Sequence, residues 1–141
     1  MRVLFVCHGN VNRSAAAEVI ALKDWPNDNE YRSCGLKTSN GKIMAKRMRE
    51  TLKEHGYDNV TRSSAITQEM VDWADVIFYM DNANEKRFRL QFGDLNKAMK
   101  LSNYIPGVDR IPDPAYAKGH DTHHVVVNLI KHALNKWISE R

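Results

Sequence analysis

Apolar and polar positions along this chain fall into blocks that switch between the two periods of regular structure. Arg2–Val6 is a short, nearly continuous apolar run and predicts a buried strand. The spacing from about Arg13 to Asp24 predicts a helix that stops at Trp25-Pro26, because the residue before a proline resists helical backbone. Tyr31–Cys34 predicts a weak second strand. A second helix follows Asn40-Gly41, with Met44, Met48 and Leu52 at four-residue spacing and Gly56 as its stop. Val60–Ile66 is a third candidate strand, and Thr67 caps a short helix with Glu69 in its first turn. Val76-Ile77-Phe78-Tyr79-Met80 is a continuous buried strand. Asn82-x-x-Glu85 reads as a capping box opening a helix that Gly93 closes. Met99–Tyr104 is a weak strand. The last helix carries Val125, Val126, Leu129, Ile130, Ala133, Leu134, Trp137 and Ile138 as one apolar stripe.

Such alternation implies an α/β fold: parallel strands with helices on both faces. Ligands of these sheets bind beyond the carboxyl ends of the strands. The chain has 141 residues, enough for one compact domain with one core, and no linker or repeat divides it. No apolar run approaches the roughly 20 residues needed to span a membrane, and Val3–Val6 is too short for a signal-peptide core. With only two cysteines, Cys7 and Cys34, there is no disulfide framework, and the expected location is a reducing cytoplasm. The net charge of +4 is spread over helical faces without interleaved aromatics, so nucleic-acid binding is not expected. A mild positive field would still draw anionic substrates.

One stretch carries chemistry. Strand one ends at Cys7, then come His8-Gly9-Asn10-Val11-Asn12, then Arg13-Ser14 and the first helix. A loop of this kind aims backbone N–H groups and a helix dipole at one point. A cysteine there is favoured as thiolate. Arg13 supplies a planar fork that matches a phosphoryl group. The pattern C-x5-R alone is weak, and Cys7 could be an ordinary packing residue at a strand end. The strand before it, the Gly and Asn within it, and the helix behind it make the pattern specific.

A thiolate attacking phosphorus also needs a proton donor for the leaving oxygen. Asp113, in Arg110-Ile111-Pro112-Asp113-Pro114-Ala115-Tyr116, is the candidate, stiffened by two prolines and expected to sit beside apolar Ile111 and Tyr116. Taken alone, Asp-Pro is a turn signal.

Together these residues resemble the low-molecular-weight protein tyrosine phosphatases. The likeness runs in order through the loop, the Ser33-Cys34-Gly35 turn, His55-Gly56, the Met80-Asp81 strand exit and the Asp-Pro-x-Tyr segment. The resemblance implies a single phosphatase domain over residues 1–141. Its fold would be three-layered: a four-stranded parallel twisted sheet, helices on both faces, and the phosphate-binding loop after strand one. It implies that Cys7 becomes a phosphocysteine, Arg13 clamps phosphate, Ser14 stabilises the thiolate, Asn10 props the loop, and Asp113 is acid and then base. His8, Gly9, Asn10, Val11, Asn12, Ser14 and Tyr116 would bind substrate: a phosphorylated protein or peptide, or a small aryl phosphate. No cofactor or metal is implied.

The chain departs from the family pattern at several points. The second loop cysteine is Asn12, so the usual vicinal disulfide cannot form. The first tyrosine of the acid loop is Ala115, the leucine after the nucleophile is His8, and Leu36–Gly41 holds no aromatic residue. Val11 and Tyr116 remain as walls for an aryl group, so the mouth is expected to be wider and more polar. Ser63-Ser64-Ala65 and Thr61 replace residues of the family's supporting shell, which is expected to be weaker. A non-catalytic phosphotyrosine-binding module is the alternative. An arsenate reductase would need cysteines after Cys34, and there are none. His120, His123 and His124 lack a metal-ligand partner set and read as solvated residues at a helix start that edge the site.

Overall fold

The computed structural model describes residues 1–141. The chain runs β1 (Arg2–Cys7), α1 (Arg13–Asp24), β2 (Glu30–Gly35), α2 (Lys46–Glu54), α3 (Gln68–Trp73), β3 (Val76–Tyr79), α4 (Asn82–Phe92), β4 (Ala98–Lys100), a 3-10 turn (Leu101–Tyr104) and α5 (Asp121–Ser139). The four strands form one parallel sheet in the order β2-β1-β3-β4. Strand order reverses between β1 and β3, and the crevice beyond their carboxyl ends is where such a sheet holds a ligand. Cys7 ends β1, and Asp81 lies two residues past the end of β3.

Period-two alternation divides the core. Val3, Phe5, Cys7, Val76, Phe78 and Met80 face one side, packed on α1, α2 and α5. Leu4, Val6, Cys34, Ile77 and Tyr79 face the other, against Val71 of α3 and Phe88 of α4. Cys7 and Cys34 therefore lie on opposite faces of the sheet, and both are free thiols.

The α/β alternation is as the sequence predicts, but several elements differ. Residues 60–66 form no strand; only isolated bridges, Gly35 to Ala65 and Ile43 to Arg62, occur there. Their backbone is spent elsewhere: Ser64 accepts from the Gly35 N–H (2.8 Å), and Ser63 accepts from the Gly41 N–H (2.8 Å) and donates to the Lys42 carbonyl (2.8 Å). β4 is only Ala98–Lys100, and the rest of that run coils into the 3-10 turn, where Ser102 donates to the Asp109 carbonyl (2.8 Å). The cap of α4 is Asp81, one residue before the expected position. Asp81 Oδ1 accepts from the Asn84 N–H (2.8 Å), and Asn84 Oδ1 accepts from the Met80 N–H (3.2 Å). On α5, Val125 is exposed and Val127 takes its place in the buried stripe, whose first member is His123.

Candidate active site

Three segments converge where β1 and β3 end. The first is the loop from Cys7 to Arg13. Asn10 sits at φ 57°, a left-handed conformation that asparagine tolerates better than most residues. The turn puts the Asn10 N–H 3.3 Å from the Cys7 sulfur. The second segment is the exit of β2, whose Leu36 and Lys37 N–H groups donate to the carbonyls of Cys7 and His8 (2.9 Å each). This close approach needs Gly35, since a Cβ there would meet the His8 carbonyl at 3.0 Å and Thr38 at 2.8 Å. The third is the Asp113 loop, tied to the residue just past β3 by the Ile111 N–H donating to the Met80 carbonyl (2.9 Å).

A directed chain of hydrogen bonds leads to the thiol. The Ser64 N–H donates to Asn10 Oδ1 (2.8 Å), which fixes the amide orientation and makes Nδ2 the donor. Asn10 Nδ2 donates to Ser14 Oγ (2.8 Å) and Ser33 Oγ (3.0 Å). Ser33 spends its proton on Glu18 (2.5 Å). The Ser14 proton is then free for the Cys7 sulfur at 2.9 Å, the nearer of its two options; the Cys34 carbonyl is at 3.4 Å. Cys7 thus faces two hydrogen-bond donors, the Ser14 hydroxyl and the Asn10 N–H.

Arg13 is buried. Its Nη1 donates to Asp81 Oδ2 (2.6 Å) and to the Ile111 carbonyl (2.9 Å), and its Nη2 lies 3.6 Å from Asp113 Oδ2. Arg13 therefore joins the Cys7 loop to the Asp113 loop, 100 residues further on. Asp113 differs from expectation in its surroundings. It is exposed rather than packed in apolar residues, and Oδ1 accepts from the Ala115 N–H (3.0 Å). Tyr116 is 96% exposed, His8 is exposed, and Gly9 and Val11 are half-buried. Asn12 is buried, and its Oδ1 has no partner.

The expected weakening of the supporting shell is not seen. The contact from Ser64 to Asn10 is made by backbone, so the side chain at that position does not affect it. Ser63 Oγ donates to the Ser39 carbonyl (2.6 Å) and accepts from the Lys42 N–H (2.9 Å). His123 is not solvated. It is buried, and burial, with His120, Arg47 and His124 nearby, lowers its pKa. No group of three or more His, Cys, Asp or Glu side chains is arranged to hold a metal ion.

The sequence matches the family description "Low molecular weight phosphotyrosine protein phosphatase" over residues 2–141. The chain belongs to that family. Its relatives include the Staphylococcus aureus low molecular weight protein-tyrosine-phosphatase PtpB, 30% identical over 114 residues, 81% of each chain. A protein-arginine-phosphatase of Geobacillus stearothermophilus is 32% identical over 116 residues, 80% of this chain and 78% of that one. Among solved structures, the low molecular weight protein tyrosine phosphatase of T. tengcongensis superimposes with a TM-score of 0.89 at 26% identity, covering 100% of this chain and 99% of that one. The family's members are cysteine-dependent phosphatases, and no helix of this one is long and apolar enough to cross a membrane.

Glu18 was not legible as part of this phosphatase site. Its one signal is a carboxylate on the otherwise apolar α1 face, four residues after Ser14. Burial raises its pKa, against the lowering effect of hydrogen bonds to Ser33 and Thr61 and of the Arg32 charge. The folded value lies above the unfolded one of about 4.3, so the fold favours the protonated form. This contribution to stability is present below the unfolded pKa and lost as pH rises through the folded one. Glu18→Gln keeps an acceptor for Ser33 without the charge. Thermal melts should show the variant above wild type in Tm at pH 8, with the two converging towards pH 4. An equal gap at both pH values would contradict this.

Proposed function

We propose that residues 1–141 form a single domain that hydrolyses phosphomonoesters on protein, phosphotyrosine foremost, through a phosphocysteine intermediate. The observation that carries this reading is the hydrogen-bond chain ending in two donors at the Cys7 sulfur, with Arg13 held between the two loops.

In the proposed first step the Cys7 thiolate attacks phosphorus. A sulfur–phosphorus bond forms, the ester oxygen–phosphorus bond breaks, and the leaving oxygen takes a proton from Asp113. Loop N–H groups and the Arg13 fork stabilise charge on the equatorial oxygens. In the second step Asp113 accepts a proton from water as that water attacks phosphorus. The sulfur–phosphorus bond breaks, phosphate leaves, and the thiolate returns. Arg13 beside Asp113 keeps the carboxylate close to where the phosphoryl oxygens would lie. Ser14 and Asn10 hold the loop, His8, Gly9, Val11 and Asn12 line it, and Val11 and Tyr116 flank the aryl group. Two free thiols on opposite sheet faces suit a reducing cytoplasm.

A phosphoarginyl substrate is the second reading. It is favoured by the mouth, which lacks the two expected aromatic walls, and by the arginine-phosphatase relative. Turnover of phosphotyrosine, phosphoserine and phosphoarginine peptides, with p-nitrophenyl phosphate as reference, tests both. The proposal expects the reference and phosphotyrosine to be hydrolysed and phosphoserine to be poor. Phosphoarginine turned over faster than phosphotyrosine would favour the second reading. Binding of the peptides without hydrolysis of any would leave only a phosphate-binding module.

A further inference from the structure

Beside the phosphate loop lies a cleft of about 300 Å³ that the proposed hydrolysis does not use. It shares Asn12 with the loop and Pro114 and Ala115 with the Asp113 segment, and Lys46, Arg47 and His123 are among its other walls. Whatever occupies it would therefore adjoin the reacting phosphoryl group.

Three features of its walls lack a partner. Asn12 is 8% exposed and His123 is 3% exposed, yet neither Asn12 Oδ1 nor His123 Nδ1 has a hydrogen-bond partner. Buried polar groups are nearly always paired, so two in one wall mark a place for a polar ligand. The α2 N-terminus has no side-chain cap and no acid in its first turn. It begins instead with Lys46 and Arg47, two cations at the positive end of the dipole, where they disfavour the helix unless an anion sits nearby. Arg47 spends Nη1 on the Ala117 carbonyl (2.7 Å), and Lys46 makes no ion pair. No acidic residue lines the cleft; Glu50, a turn further along α2, is drawn towards His120 at 3.6 Å.

We infer that this cleft is a second anion subsite, which takes an acidic side chain next to the phosphorylated residue of the substrate peptide. The inference rests on the proposed phosphatase reading and adds a sequence preference to it. The ligand carboxylate would accept from Lys46 Nζ, from the remaining Arg47 donors and from the α2 backbone N–H groups. His123 would donate to it through Nδ1, and Asn12 Oδ1, an acceptor, would take a backbone N–H of the same peptide. The departure at Asn12 thus acquires a use: its amide oxygen can accept an N–H of the bound peptide, where the family's cysteine would present a thiol.

The test measures binding apart from turnover. Two fluorescent phosphotyrosine peptides differ only in carrying Glu or Lys on both sides of the phosphotyrosine. Their Kd values are measured on Cys7→Ala, which cannot consume them, with and without Lys46→Glu. The Glu peptide should bind about tenfold more tightly at low salt, an advantage that shrinks in high salt and disappears with Lys46→Glu. Equal Kd values for the two peptides, or a preference that survives Lys46→Glu, would overturn the subsite. Wild type and Lys46→Glu in the Cys7 background should hydrolyse p-nitrophenyl phosphate within about twofold of each other, because the small ester does not reach the cleft. Loss of that hydrolysis in wild type would count against the phosphatase reading, whatever the peptides show.

Discussion

Cys7→Ser should lower kcat on an aryl phosphate by roughly 10⁴-fold or more while leaving the fold intact. The hydroxyl occupies the same place and meets the same two donors, Asn10 N–H and Ser14 Oγ, so thermal stability should barely change. The loss is chemical. A serine hydroxyl remains protonated at neutral pH, and the loop offers no base to ionise it. A phosphoserine formed there would also be a stable ester, without the weak sulfur–phosphorus bond that the second step needs. Steady-state rates with p-nitrophenyl phosphate, alongside a thermal melt, give the comparison. Turnover within tenfold of wild type would rule out Cys7 as the nucleophile.

Arg13→Lys should cost about 10³-fold in kcat although the charge is kept. The Arg13 guanidinium meets three groups at once: Asp81, the Ile111 carbonyl and, at 3.6 Å, Asp113. A planar fork can hold these while presenting its remaining edge to phosphoryl oxygens, and a lysine ammonium cannot. Lysine would be drawn to half-buried Asp81, leaving the equatorial oxygens without their clamp. Binding of inorganic phosphate should weaken in parallel. Unchanged phosphate affinity together with a kcat within tenfold of wild type would contradict the role given to Arg13.

The sheet was legible in the sequence because buried parallel strands are written as apolar runs. Val3–Val6 and Val76–Tyr79 are nearly featureless apolar text, and both are central strands. The edges were less legible. β4 is three half-buried residues, and residues 60–66 have strand-like composition but use their backbone to hold Asn10 and the 39–42 turn. Helix phase at α5 slipped because His123, a polar residue, heads the buried stripe in place of a valine.

The same division holds at the site. Cys7, Arg13 and Asp113 announce themselves by residue type and by the motifs around them. Glu18 and the double role of Asp81 do not, and Ser33 and Ser64 show only as parts of family-like segments, because all four act through contacts that close only in three dimensions. Asp81 caps α4 with one carboxylate oxygen and holds Arg13 with the other. Nothing in its spacing distinguishes it from an ordinary cap. The exposure of Asp113 could not be read either, since its prolines fix the local backbone without fixing where the loop docks.

In the proposed reaction the phosphoryl group passes through the Cys7 sulfur. The most direct test is to quench a reaction of wild-type protein with an aryl phosphate on the millisecond scale and map the phosphoryl group by peptide mass spectrometry. With p-nitrophenyl phosphate, whose leaving group departs without a proton, a phosphoryl adduct should appear on the peptide carrying Cys7 and accumulate in Asp113→Asn, where water lacks its base. An adduct on another residue, or full turnover with no adduct on Cys7 at any time, would contradict it.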